Sequence, residues 1–220
     1  MRSCLLFVFL AGWAPAQVAV EANKDYQTAE GRARIAKTLE DPHRAERMKP
    51  QEMVAALEIQ PGNTVADVGT GVGAMLQYLT EAVGPSGRVI AEDIAQDFLD
   101  KAKARIEANQ WTNVTTVLGT EKTTNLPAGQ VDLVFVLDAY HHFNYPAEML
   151  ASIARGLKAD GRLALADFYR TRRGAQDKDM SKHIRADRDE VIKEIEDNGF
   201  KLLSYKDQGT SQYLLLFRKK

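Results

Sequence analysis

The sequence of 220 residues contains one cysteine, Cys4, and no second one with which it could pair. Cys4 lies in an apolar run, Leu5-Leu6-Phe7-Val8-Phe9-Leu10-Ala11, that Arg2 precedes and Ala14-Pro15-Ala16 follows. A basic start, a short apolar stretch and a small-x-small cleavage pattern read as a secretory signal peptide over residues 1–16. Export to a periplasmic or extracellular space is therefore expected, with a cytoplasmic chain if the signal is not used. Without Cys4 the mature chain has no disulfide, no thiolate nucleophile and no cysteine metal site. Long hydrophobic runs are also lacking. The N-terminal run falls short of the roughly 20 residues of a spanning helix, so no stable membrane anchor is expected. Neither sign of charge is in excess, since 29 Lys and Arg face 30 Asp and Glu for a net charge of -1. No general field draws nucleic acid or anionic lipid, and no nucleic-acid partner is expected. Internal repeats and low-complexity tracts are absent too.

What is present is an ordinary globular composition, 45% hydrophobic and 27% charged, on a length that suits one well-buried domain. Residues 17–50 form an N-terminal helical cap, in which the polar stretch from Gln17 to Met48 reads as one or two helices lying on the surface. Residues 51–220 form the main domain. Pro50 opens a short helix running through Leu57, and Pro61-Gly62 stops it. Strands are then expected at Thr64 to Val68, Arg88 to Asp93, Val114 to Leu118, Val131 to Leu137 and Gly161 to Phe168. Between them, Met75, Leu76, Leu79 and Val83, then Phe98, Leu99, Ala102 and Ile106, then Met149, Leu150, Ile153 and Leu157 recur at helical spacing. Asp187 with Glu190 forms a capping box for a last helix carrying Val191, Ile192 and Ile195 and closed by Gly199. Strands at Phe200 to Tyr205 and Tyr213 to Phe217 end the chain. Such alternation indicates an α/β, doubly wound, mostly parallel sheet with helices on both faces. About six residues, Lys206 to Ser211, separate the last two strands, too few for a parallel crossover, so the final strand should be antiparallel.

In open parallel sheets, ligands bind beyond the carboxyl ends of the strands. The first strand ends there in Asp67-Val68-Gly69-Thr70-Gly71-Val72-Gly73, with glycines where backbone must pass close to a ligand. Asp93, at the tip of the second strand, is placed to accept hydrogen bonds from ribose hydroxyls. Gly69-x-Gly71-x-x-Ala74 also fits a dinucleotide fingerprint, which keeps an NAD-type oxidoreductase as an alternative. Asp67 weighs against it. A carboxylate there repels a pyrophosphate and attracts a ligand bearing an ammonium group and no phosphate, such as S-adenosylmethionine. Each residue also has a purely structural reading: Asp67 as a helix cap, the glycines as a tight turn, Asp93 as a surface residue.

Through Asp67-x-Gly69-x-Gly71-x-Gly73, Asp93 and Leu126-Pro127-x-Gly129-x-Val131-Asp132-Leu133-Val134, the chain resembles the class I, Rossmann-like, S-adenosylmethionine-dependent methyltransferases. The likeness runs from about Gln51 to the C-terminus and includes Leu157-Lys158-x-x-Gly161-Arg162-Leu163 and Asn198-Gly199-Phe200. It implies a seven-stranded sheet of order 3-2-1-4-5-7-6 with the last strand antiparallel, in agreement with the short final connection. It also implies S-adenosyl-L-methionine as cofactor, the glycine loop on its methionine part and Asp93 on its ribose. Many members place Gly-Asp after the third strand to meet the adenine amine. Here Gly119 is followed by Thr120-Glu121, which leaves that contact to Glu121. Thr70 and Asp138 complete the expected cofactor-binding set.

Methyl transfer requires chiefly in-line alignment and exclusion of water, and a base helps where the acceptor must lose a proton. Asp138-Ala139-Tyr140-His141-His142-Phe143 ends the fourth strand beside the expected methyl group. His142 is the preferred base and His141 the second, with Tyr140 shaping the pocket; structural packing and capping by the histidines is the plain alternative. A metal held by Asp138, Asp167 and His141, comparable to the catechol-type methyltransferases, is the weaker reading, because Phe168 follows Asp167 where an Asn is usual; no metal is assigned. Tyr169, Arg170, Arg172 and Arg173 could meet an anionic acceptor. His43 and His183 lie in segments that could cover the cleft. The Asn-Pro-Pro-Tyr type of motif of adenine-methylating nucleic-acid enzymes is missing, as are the cysteines of arsenic methylation, so a small-molecule acceptor is expected. An exported binding protein that kept the fold without catalysis stands as a further alternative, since the cofactor is made in the cytoplasm.

Overall fold

The computed structural model describes residues 18–171, 173–175 and 178–220. The expected signal peptide, residues 1–16, and Arg172 lie outside the described residues. Among the described residues no helix is long and apolar enough to cross a membrane.

After a 3-10 turn at Lys24–Gln27, the cap consists of α1 (Ala29–Leu39) and α2 (Pro42–Met48). Thr28 and Asp41 cap these helices, their side chains accepting from the backbone N–H of Gly31 and His43. The main fold follows as α3 (Pro50–Ala56), β1 (Thr64–Val68), α4 (Leu76–Val83), β2 (Arg88–Asp93), α5 (Gln96–Ala108), β3 (Val114–Leu118), β4 (Val131–Leu137), α6 (Pro146–Gly156), β5 (Leu157–Phe168), α7 (Arg188–Asp197), β6 (Phe200–Gln208) and β7 (Gln212–Lys219).

The seven strands form one sheet of order β3-β2-β1-β4-β5-β7-β6, with β7 antiparallel to both neighbours and the other pairings parallel. Strand sequence follows sheet position. Central β1 and β4 are apolar on both faces because both are covered: Ala66, Val68, Val134 and Val136 pack under α6 and α7, while Val65, Leu133 and Phe135 pack under α3 and α4. The edge strands β3 and β6 are largely exposed and carry polar residues such as Thr115, Thr116, Lys201 and Lys206. Parallel β1, β2 and β4 thus end together, and their carboxyl ends define the site.

Two expectations need correction. Leu157 does not continue the helical face of α6: its backbone is extended (φ -68°, ψ 140°) and it pairs with Val131, with a register shift before Leu133 pairs with Arg162. The fifth strand therefore starts at Leu157 rather than Gly161. The last two strands are longer than expected and leave only Gly209 to Ser211 between them, because the polar residues Lys206 to Gln208 continue the edge ladder against β7. The two cap helices lie on the surface as expected, with Ala19, Ala22 and Ala36 buried beneath this segment.

Candidate active site

Between β1 and α4 the chain turns with Gly69, Gly71 and Gly73 at φ +75°, +55° and +77°, values that a side chain disfavours. Space is restrictive as well. A Cβ on Gly69 would sit 2.6 Å from the Ala139 Cβ, and one on Gly71 2.9 Å from Leu39 Cδ1 at the end of α1. Gly73 faces away from the ligand side, where a Cβ would strike Leu76 Cδ1 at 2.7 Å, so its absence lets the loop enter α4. The backbone N–H groups of Gly69 and Thr70 both donate to the Glu92 carbonyl at 2.9 Å, tying the loop to β2.

Two carboxylates flank this loop. Asp67 is 1% exposed and accepts from Thr70 Oγ1 at 2.7 Å. Burial pushes its pKa up to about 6, with the Thr70 hydrogen bond opposing the shift. Asp93 accepts from Gly71 N and Ala95 N, both at 2.9 Å, so one side chain orients the loop and the start of α5. Burial raises its pKa too, against these backbone bonds.

Loop, strand tips and cap enclose a cavity of about 440 Å³, within the usual range for a small-ligand site. Asp67, Gly69, Thr70, Gly71, Asp93, Glu121, Asp138 and His142 line it together. Gly73, His141 and Tyr140 do not line it. From the cap, Arg44 Nη2 reaches Asp138 Oδ2 at 2.7 Å, and Arg32 Nε reaches Asp97 Oδ2 at 2.7 Å. The Tyr26 ring stands edge-on to Phe98 and 4.5 Å from the His142 ring. Glu121 sits at the rim, accepting from Asn144 Nδ2 at 2.8 Å.

At the end of β4, Asp138 adopts φ +53° and leads into the 3-10 turn Tyr140–His142. That turn sends consecutive side chains in different directions. Tyr140, expected to shape the pocket, points into the core, is 1% exposed and donates its hydroxyl to Glu194 Oε1 at 2.5 Å. His141 is buried behind the cavity wall with its Nδ1 2.8 Å from Asp167 Oδ1, while Asp167 Oδ2 accepts its backbone N–H. Burial alone would lower the His141 pKa, but Asp167 and then Asp138 outweigh it and the pKa is raised. His142 lines the cavity, and burial, with His141 and His183 beside it, holds its pKa well below the ordinary value. Neither Arg170 nor Arg173 lines the cavity; Arg173 is paired with Asp207 at 3.2 Å and lies over the Tyr169 ring. His43 is exposed on α2.

Several site residues went unrecognised in the sequence. Glu92, beside Asp93, lines the cavity; burial raises its pKa well above the ordinary value, and its Oε1 has no partner among the described residues. An acid inside an otherwise apolar strand was the available signal. Asn23, Tyr26 and Arg44 carried no such signal, because their partners lie far along the chain: Asn23 donates to the His142 carbonyl across 119 positions.

The chain is similar to known methyltransferases. The sequence model of the family described as "Methyltransferase domain" matches residues 66–165. A SAM-dependent methyltransferase from Aquifex aeolicus has a similar structure, with TM-score 0.78 and 26% identity over 84% of this chain and 97% of that one. Among curated proteins, the nocamycin O-methyltransferase of Saccharothrix syringae is 31% identical over 52% of this chain and 41% of its own. An uncharacterized 37.1 kDa protein in a Streptomyces fradiae transposon is 36% identical over 52% of this chain and 33% of its own. The chain thus spans less than half the length of these two curated relatives. The nicotinamide alternative finds no support among these proteins. A glycine loop between two buried carboxylates, on a sheet of this strand order, gives the chain the fold of the class I, Rossmann-like, S-adenosylmethionine-dependent methyltransferases, and the domain model and the Aquifex aeolicus structure make it similar to them in sequence as well.

Proposed function

We propose that the protein transfers the methyl group of S-adenosylmethionine to a small-molecule acceptor positioned at the His142 end of the cavity. The observation that carries this reading is the cavity itself, which joins a turn too crowded for a Cβ on Gly69 or Gly71 to a buried carboxylate, Asp67, that is paired with no cation among the described residues. When bound, the cofactor supplies an activated methyl group on a sulfonium that is already a good leaving group.

The chain's own residues then have separable tasks. Asp67 attracts the ammonium group, and its ionised form becomes favourable once that charge is close. Asp93 offers its remaining lone pairs to ribose hydroxyls while its backbone bonds hold the loop in place. Glu121 takes the adenine amine at the rim. Tyr26 and Arg44 close the cavity from the cap and exclude water. His142 faces the acceptor. Its tautomer follows from Asn23: the Asn23 amide Nδ2 donates to the His142 carbonyl, so Asn23 Oδ1, 2.9 Å from His142 Nδ1, must accept. The proton is therefore on Nδ1, and Nε2 keeps a lone pair to take a proton from the acceptor.

Calorimetry with S-adenosylmethionine and S-adenosylhomocysteine tests the cofactor, and mass spectrometry of metabolite extracts incubated with isotopically labelled cofactor tests the acceptor. A folded protein that binds neither ligand would sink the proposal. Binding without methyl transfer across the extracts would favour an exported binding protein instead.

A further inference from the structure

We infer that His141, His142 and His183 form a three-nitrogen site for a divalent transition metal of the zinc class at the acceptor end of the cavity. Three of the chain's four histidines meet here, although one of them lies about 40 residues from the other two. One ring nitrogen from each lies within 4.8 Å of the others. Ring centroids are 4.1 Å apart for His141 and His142, 4.9 Å for His141 and His183, and 5.2 Å for His142 and His183.

The closest approach is His141 Nε2 to His183 Nε2 at 3.1 Å. Two imidazole nitrogens bound to one tetrahedral zinc at about 2.0–2.1 Å stand about 3.3 Å apart, so the pair needs only a small adjustment to share an ion. The opposite ring atoms are already committed. His142 Nδ1 donates to Asn23 Oδ1 at 2.9 Å, and His141 Nδ1 faces Asp167 Oδ1 at 2.8 Å. His141 turns Nε2 toward His183, and Nε2 is the nitrogen left to His142 as a ligand, with an oxygen behind each ring. Metal-ligating histidines are oriented in this way by a carboxylate or amide on the far nitrogen.

The set Asp138, His141 and Asp167 also lies within metal-ligand distance, but three of its four carboxylate oxygens are engaged. Asp167 Oδ1 accepts from His141 Nδ1 and Phe168 N, Oδ2 accepts from His141 N, and Asp138 Oδ2 is paired with Arg44. Asp167 thus serves as the group that orients His141 rather than as a ligand. Three nitrogen ligands leave a fourth position open, as in catalytic zinc sites, and His142 places it at the cavity wall. A hydroxyl or thiol of the acceptor entering that position would lose its proton more readily. His142 would then act as a ligand instead of a base, since both roles use the same lone pair. Metal binding itself does not depend on the methyl-transfer proposal.

The test uses untagged full-length protein stripped with chelator and titrated with Zn²⁺ alone by calorimetry, then with Co²⁺ by visible spectroscopy. The expected result is one Zn²⁺ per chain and the visible bands of tetrahedral cobalt, abolished by added Zn²⁺. His142→Ala and His183→Ala should each weaken binding about tenfold or more, and Asp167→Asn about 10- to 100-fold, as loss of an orienting partner does. His43→Ala should leave it unchanged. Circular dichroism checks that each variant folds. Failure of the folded wild-type chain to bind either ion overturns the inference, and so does wild-type affinity in His183→Ala; neither result bears on cofactor binding.

Discussion

Replacing Asp67 by Asn separates what this carboxylate costs the fold from what it contributes to binding. Its pKa in the folded chain is about 6 against an ordinary 3.8, so the folded state holds the proton more tightly than the unfolded state does. The sign follows: stability falls as pH rises from about 4 to about 6, and the full penalty is present above that window. At 1.36 kcal/mol per pKa unit the penalty near neutral pH is about 3 kcal/mol. Asparagine has the shape of the protonated acid and keeps an acceptor for Thr70 Oγ1. The ligand-free variant should therefore be roughly 2–3 kcal/mol more stable near pH 7, which for a chain of this size raises Tm by about 4–10 °C. The gain should shrink steadily below about pH 6 and vanish near pH 4. S-adenosylmethionine should bind about 10- to 100-fold more weakly, the equivalent of one hydrogen bond to a charged group. Thermal unfolding by circular dichroism across this pH range, with calorimetry for the ligand, measures both halves. A variant no more stable than wild type at neutral pH, or one whose advantage persists at pH 4, would refute the reasoning.

Other expectations concern neighbouring groups. Gly69→Ala, at φ +75° with Ala139 2.6 Å from the new Cβ, should lower stability by about 1–3 kcal/mol, read as a shifted denaturation midpoint at constant m. Asp93→Ala removes the acceptor of Gly71 N and Ala95 N as well as the ribose contact, and cofactor affinity should fall by about 100-fold or more in calorimetry. Arg44→Ala breaks the 2.7 Å pair with Asp138; loss of about 1–2 kcal/mol should appear as a faster cofactor off-rate in stopped-flow measurements. Tyr140→Phe should cost about 1–2 kcal/mol of stability through the lost bond to Glu194, while cofactor affinity stays within about twofold.

The legible part of the fold was the part written in local pattern. Strands β1 to β4 begin and end at the residues their apolar runs indicate, and the Asp187 and Glu190 capping box forms as its spacing demands. Within the site, Asp67, Asp93 and the glycines follow from the same local logic, since strand ends and positive-φ turns are encoded within a few residues. Local pattern misleads where a residue is claimed from two sides. Leu157 has the spacing of an α6 core residue, yet the β4 edge at Val131 captures its backbone. Tyr140, His141 and His142 are adjacent in sequence, but a 3-10 turn distributes them among core, wall and cavity. Contacts across long separations leave no local trace at all. Arg32 to Asp97, Arg44 to Asp138 and His141 to His183 are ordinary polar residues until the chain is folded.

The cap also fixes an order of events during synthesis. Asn23, Arg32 and Arg44 leave the ribosome well before the residues they bind, and Asn23 precedes His142 by 119 positions. At about 5–20 residues per second that interval is on the order of 10 s. For that time the first helices of the chain have no cavity to close. Their sparing use of large apolar side chains then has a purpose beyond the folded state, since a segment that must wait in water for its partner is safest when it has little greasy surface to offer other chains. These first helices are thus seated only once the end of β4 has followed them.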